Sequence, residues 1–139
     1  MSALTAVRDT PEFAPRTTIA TYPVAASVKI YAGALVALNA GYLQPAATAT
    51  GLQVVGQSLI TVDNTAGGAG AANCLVQEGT FRWDNDSTIA QAQVGTKAYA
   101  NDDHTVSHTA TGKSVAGIIA LVDSNGVWVT SSLVIGAEG

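Results

Sequence analysis

The sequence predicts an all-β protein, a sandwich or barrel built as one domain, and three observations predict it. Short apolar runs are separated by turn residues every ~8–12 positions. The stretch Ser114–Leu133, SVAGIIALVDSNGVWVTSSL, reads as a hairpin, two apolar runs joined by Asp123-Ser124-Asn125-Gly126. The length, 139 residues, fits a single core of ordinary size. Val115–Val122 is apolar at both alternating sets of positions, the pattern of a strand covered on both sides. Past the turn, Val127 and Val129 point one way and Trp128, Thr130 and Ser132 the other, so one face is less deeply buried. Gly126 can supply the positive φ that closing the hairpin requires.

Composition narrows the function class before any motif is considered. Only 12% of residues are charged against 47% hydrophobic, with a net charge of −4 and a pI near 4.8. An average soluble domain carries about 25% charged residues. Either the chain is very compact or it buries part of its exterior, and burial against copies of itself and a partner is the favoured expectation. Nucleic acid is a poor partner, because no basic excess is present to neutralise phosphates. Cys74 is the sole cysteine, which rules out an intrachain disulfide and makes a reducing compartment the simpler assumption. Its place at the start of an apolar run marks a buried thiol rather than a nucleophile. The opening MSALTAVRDTPEF lacks the continuous apolar core of a signal peptide, and no run approaches a membrane span. A soluble protein made in a cytoplasm, without a membrane partner, is the expectation.

The elements follow in order. Residues 1–21 stand apart as an N-terminal arm, with Arg8, Asp9, Glu12, Arg16, the threonines Thr10, Thr17 and Thr18, and the prolines Pro11 and Pro15. Prolines so spaced discourage both helix interior and central strand. Two readings stand: a frayed terminus, or a flexible arm that orders on a partner with Phe13 as anchor. Residues 22–139 form the domain. Val28–Tyr31, Ala34–Leu38 and Tyr42–Gln44 are strands, the last two joined by Asn39-Ala40-Gly41, a tight-turn signal. Leu52–Val62 is one long β-prone segment with Gly56 as a bulge or bend. Asp63–Ala72, DNTAGGAGAA, is a flexible loop by composition. Cys74–Trp83 is a strand interrupted by Gly79, with Phe81 and Trp83 on one face and Arg82 on the other. Asp84-Asn85-Asp86-Ser87 ends it, and Ser87 could cap one or two helical turns through Thr88–Gln93 before Gly95 stops them. Thr96–Ala100 and Thr105–Ser107 are strands about the polar turn Asn101–His104, and His108–Lys113 leads into the closing hairpin.

Candidate chemistry is sparse. The glycine-rich loop is followed by a strand, which removes the helix a phosphate cradle needs. Gly112-Lys113-Ser114 resembles the end of a P-loop, but Ser107 stands where its first glycine belongs, and the β-branched run after Ser114 is no helix. Asp102, Asp103, His104 and His108 have metal-ligand chemistry, with the histidines four apart. Without a helix to align them, the cluster is read as a solvated hairpin tip rather than a zinc site. Gly56-Gln57-Ser58 runs on into Leu59 and Ile60 without the second glycine of a nucleophile elbow. Glu78, Asp84 and Asp86 could serve as a glycosidase pair, though acidic residues flanking a strand end are usually turn residues. Phe81, Trp83, Trp128, Tyr42 and Tyr99 could form a sugar platform, against the packing role that burying about 150–250 Å² each would serve. No catalytic, cofactor-binding or metal-ligating residue is assigned, and no cofactor is expected.

Three segments, KIYAGALVALNAGYLQPA, VVGQSLITVDNTAGGAGAANCLVQEGTFRW and VGTKAYANDDHTVSHTATGKSVAGIIALVDSNGVWV, taken in this order, resemble the small capsid decoration (cement) proteins of tailed bacteriophages. The resemblance spans roughly Val24 to Val129. It lies in the order of strands and turns, the glycine before Phe81-Arg82-Trp83, Tyr99-Ala100-Asn101-Asp102-Asp103 followed by Thr105-Val106-Ser107, and the Ala116-Gly117-Ile118 step. It implies a small β-barrel of β-tulip-like form acting as a homotrimer at local three-fold positions on the outer surface of the virion head. The implied partner is a major capsid protein of the HK97-type fold, and the implied role is bracing the expanded shell. Synthesis would be in the host bacterial cytoplasm. An arm lying along the capsid would use Thr10, Pro11, Phe13, Pro15, Arg16 and Thr17. The alternative is a virion-surface adhesion or carbohydrate-binding module using Trp83 or Trp128.

Overall fold

The structure is a computed structural model that describes residues 19–133. It is all-β, with strands β1 (Ile19–Pro23), β2 (Val28–Ile30), β3 (Leu35–Asn39), β4 (Tyr42–Pro45), β5 (Gln53–Ser58) and β6 (Val62–Asn64) in the first half. The second half supplies β7 (Asn73–Gln77), β8 (Gly79–Asn85), β9 (Lys97–Ala100), β10 (Thr105–Ser107), β11 (Val115–Asp123) and β12 (Gly126–Ser131). A single 3-10 turn at Gln91–Gln93 separates β8 from β9.

The strands form a five-stranded sheet in the order β1-β7-β5-β3-β4, a closed barrel β10-β8-β12-β11-β9, and a two-stranded ribbon β2-β6. The five-stranded sheet is the wall between two cores. Leu35, Ala37 and Val54 enter the barrel core with Trp83, Ala98, Ala100, Val106, Ile119, Val127 and Val129. Val36, Leu38 and Val55 enter the second core with Val24, Ile30, Leu43, Val62, Cys74 and Val76. Strict alternation explains the sharing: successive side chains leave a strand on opposite faces, and here both faces are covered. The doubly covered strand is thus Leu35-Val36-Ala37-Leu38, whose four residues are all buried.

Local sequence accounts for the joints. Ala40 (φ 51°) and Gly41 (φ 86°) place two successive residues in the left-handed region, the requirement of a type I′ hairpin between β3 and β4. Gly56 lies against the β7 end, where a Cβ would collide with the Gln77 carbonyl, and the β3–β5 register slips beside it, between Val36 and Ala37. The bend predicted at Gly56 is therefore present, and it is forced by close backbone approach.

Several expectations need correction. The arm's boundary at residue 21 falls inside β1, since Ile19–Pro23 pair antiparallel with β7. The arm residues Thr10, Pro11, Phe13, Pro15, Arg16 and Thr17 lie outside the described residues. Leu52–Val62 is two strands serving different sheets, β5 and β6, and Cys74–Trp83 is likewise β7 and β8. The sequence break at Gly79 is thus where the chain passes from the five-stranded sheet to the barrel. Asp63–Ala72 is folded over Asn64, a buried amide whose Nδ2 donates to the carbonyls of Ala25 at 2.9 Å and Gly68 at 3.0 Å. Ser87 has a φ of 78° and caps no helix. In its place Asn85 Oδ1 accepts the Ser87 N–H, and Asp86 Oδ1 accepts from Thr88. The run Val115–Val122 is covered on both sides only at its start, because Leu121 is 51% exposed.

Candidate functional site

The outer surface of the barrel carries a shallow cleft of about 350 Å³, lined by Gly33, Gln57, Thr80, Phe81, Arg82, Trp83 and Trp128. Strand register assembles it. Phe81 and Trp83 pair with Val129 and Val127 on β12, while Arg82 pairs with Trp128. The first set points into the barrel, where Trp83 is 5% exposed and packs edge-on against Phe81 with ring centroids 6.4 Å apart. The second set points out. The Arg82 guanidinium lies over the Trp128 ring, 5.9 Å from its centroid, within range of a cation–π attraction. Trp128 Nε1 donates to Asp123 Oδ2 at 3.3 Å, which fixes the indole from its other side. Bonds from the Asn125 N–H, Trp128 and the Gly126 N–H hold the Asp123 carboxyl below its usual range. The indole Nε1 of Trp83 is buried with no hydrogen-bond partner among the described residues.

A smaller cleft of about 210 Å³ adjoins at Gly33, lined also by Tyr31, Ala32, Ala34, Asp103 and His104. His104 clasps the barrel rim. Its Nδ1 lies 3.1 Å from Asp84 Oδ2, and its Nε2 lies 3.5 Å from Asp102 Oδ1. The bond to Asp84, followed by the charge of Asp102, raises the His104 pKa above its ordinary value.

The other residues singled out from sequence fall as follows. Asp102, Asp103 and His104 can bring one ligand atom each within 4.8 Å of one another, but all three sit at an accessible hairpin tip, and His108 lies apart, its N–H donating to Thr88 Oγ1. Glu78 does not converge with Asp84 and Asp86, which lie two residues apart at the far end of β8. Glu78 accepts the Leu133 N–H at 2.6 Å, and Asp84, about 20 Å further along β8 at the usual strand rise, is held by His104. Burial works against the Asp86 charge, yet bonds from Thr88 and Ser107 outweigh it and keep its pKa low. Ser114, the last residue of the P-loop-like triplet, is buried. It donates to the Ala49 carbonyl at 2.7 Å and accepts the Leu52 N–H at 3.0 Å, and a strand follows it. Ser58 is buried beside Cys74, with Oγ and Sγ 3.1 Å apart. Burial pushes the Cys74 thiol up, the direction that makes it unreactive. Of the aromatic set, Phe81, Trp83 and Trp128 come together, while Tyr42 and Tyr99 do not line this cleft. Gln57, Thr80 and Gly33 escaped the sequence reading. Gln57 and Gly33 reach the cleft because β5 and the turn after β2 lie against β8, a contact no local pattern encodes.

No protein-family model, curated protein or solved structure matches the chain. No helix among the described residues is long and apolar enough to cross a membrane.

Proposed function

We propose that the chain is a structural decoration protein of a tailed-phage head. It would bind the outside of the expanded shell at local three-fold positions as a homotrimer, against a major capsid protein of the HK97-type fold. The observation that carries this reading is the combination of a charge-poor composition, 12%, with large apolar side chains left in solvent. Tyr31 is 59% exposed, Leu121 51%, Ile19 48% and Ile60 42%. Tyr31 directly follows the Ile30–Val62 pair on the β2 side, and Ile60 precedes it by two residues on the β6 side. Leu121 lies beside Trp128 on the barrel's outer row. Where such side chains form a contiguous patch they mark an interaction surface.

Trimerisation multiplies modest contacts. Linked sites can gain roughly 10²–10⁴ in avidity without any new contact type, so each subunit's share of the shell interface can be small. Residues 1–18, with Thr10, Pro11, Phe13, Pro15, Arg16 and Thr17, serve as the capsid-gripping arm in this reading. No catalytic step and no cofactor are part of it. The test is sedimentation of the purified chain alone and with expanded heads. The reading expects a trimer that co-sediments with heads, and loss of co-sedimentation when residues 1–18 are removed while the body remains folded. A monomer indifferent to heads overturns it.

A second reading, a carbohydrate-binding module, is favoured by Trp128 alone, which stands at the mouth of the larger cleft. Trp83 is buried in the barrel and is withdrawn from that role. Glycan-dependent quenching of tryptophan fluorescence in the wild type, absent in Trp128→Ala, would favour it. A flat response across a glycan array removes it.

A further inference from the structure

Thr80 and Arg82 turn their backbone N–H and C=O groups into the larger cleft, and among the described residues no strand meets them there. The parity follows from the ladder. β8 and β10 run parallel, and the N–H groups of Asp84 and Asp86 donate to the carbonyls of His104 at 2.8 Å and Val106 at 3.2 Å. Main-chain groups alternate sides along a strand. Thr80 and Arg82 therefore face the same side as Asp84, while Gly79, Phe81 and Trp83 face β12. β10 begins at Thr105, opposite Asp84. The residues before it veer toward the five-stranded sheet, where the Asp103 carbonyl accepts the Leu35 N–H at 2.8 Å. Among the described residues the first half of β8 is left as an edge.

The lining of the cleft says the same thing. Thr80, Phe81, Arg82 and Trp83 are consecutive and all line it, although alternate side chains leave a strand on opposite faces. Only a cleft running along the strand's edge touches both. The opposite wall is Gln57 and Gly33. Gln57 is paired on both sides, with Leu35 and with Gln77, so it offers the cleft only its side-chain amide. Gly33 leaves room, since a Cβ there would meet nothing within 4 Å.

Charge selects the occupant. Arg82 has no carboxylate within ion-pair distance among the described residues, and Asp123, which feels its charge, is already held by Asn125, Trp128 and Gly126. We propose that the cleft binds an extended peptide segment of a partner protein, added as a strand to the free edge of β8 with an acidic side chain against Arg82. Main-chain bonds to Thr80 and Arg82 supply affinity, and the Arg82 pair supplies the sequence preference. The site spans four residues, about 13 Å of strand. It requires no capsid, so it stands or falls separately from the decoration reading.

The test uses the full chain, ¹⁵N-labelled, with three capped probe peptides: Thr-Val-Glu-Val-Thr, the same peptide with Lys for Glu, and the acidic peptide N-methylated at alternate amides. In the free chain the Thr80 and Arg82 amide hydrogens exchange quickly while those of Phe81 and Trp83 are protected. The acidic peptide at millimolar concentration shifts the Thr80 and Arg82 amide signals and slows their exchange. The Lys peptide binds at least about tenfold more weakly, a difference of 1.4 kcal/mol, and the methylated peptide does not bind. Arg82→Pro removes the cleft-facing N–H and the charge without removing a β12 ladder bond, since edge positions tolerate proline, and it abolishes the response. Protected Thr80 and Arg82 amides in the free chain would overturn the proposal, because the edge would then be filled by the chain's own terminal segments or a second copy. So would binding that ignores N-methylation or charge, or no binding at all. If Arg82→Pro fails to fold, the wild-type exchange pattern and the peptide series still decide the matter.

Discussion

At the scale of single residues, polar side chains of this protein hold its turns together. Asn64 satisfies two carbonyls, Asp63 and Asp86 each bind the N–H and hydroxyl of a threonine two residues on, and Asp123 closes the last hairpin. Such side-chain turns are why Asp and Asn were legible as punctuation in the sequence. What could not be read was which distant strand each turn would touch. His104 is the example: its tip position was evident, but its bond to Asp84 depends on the parallel pairing of β8 with β10, made across 20 positions of chain. That bond makes a pH prediction. His104 has a folded-state pKa above its ordinary value, so its contribution to stability is complete below the ordinary pKa near 6.5 and is lost as pH rises through the raised value. The group is largely exposed, so the effect is small. Melting temperature measured from pH 5 to 9 should fall slightly through this window. Asp84→Asn should flatten the step. An unchanged step in that variant would show that the clasp is not its source.

At the scale of elements, hairpins were read well and sheet membership was not. The closing hairpin has its turn where Asp123-Ser124-Asn125-Gly126 placed it, and Val127 and Val129 point inward as alternation required. The outward row across three strands is Leu121, Trp128 and Arg82, and the inward row beside it is Val122, Val127 and Trp83. Leu121 joined the outward row because the β11–β12 register slips between Ile119 and Leu121. Ala120 is the extra residue, and a bulge at an alanine leaves no mark in an apolar run. A second slip falls between Val115 and Gly117, opposite β9. It brings Gly117 against β12, where a Cβ would collide with the Thr130 carbonyl and crowd Val129. Both obstacles belong to the packed barrel and neither can swing away. Gly117→Ala is therefore expected to destabilise the fold by about 1–3 kcal/mol, the usual cost of overpacking, read as a lower urea midpoint with an unchanged slope. A midpoint equal to wild type would mean β11 can shift at no cost.

At the scale of the whole molecule, an all-β barrel was legible because short runs and regular turns leave few alternatives. The division into two cores with one sheet between them was not. It rests on the chain changing sheets after Ser58 and after Gln77; the sequence runs through the first place as unbroken β-prone residues and marks the second only by Gly79. The site shared this fate: its aromatic residues were visible as a set, but the strand edge beside them exists only because β10 is too short to cover it. One further property follows from the meeting of β1 with the residues after β12. Ile19 pairs with Gln77, and the Leu133 N–H reaches Glu78, the very next residue. The two ends of the body therefore leave from one corner, and a short glycine–serine bridge could join them. A circularly permuted version, joined there and opened in the exposed loop between Ser107 and Ser114, should keep both cores and melt as one unit. Two separate transitions, or none, would reveal that chain order itself, and not only its packing, holds the halves together.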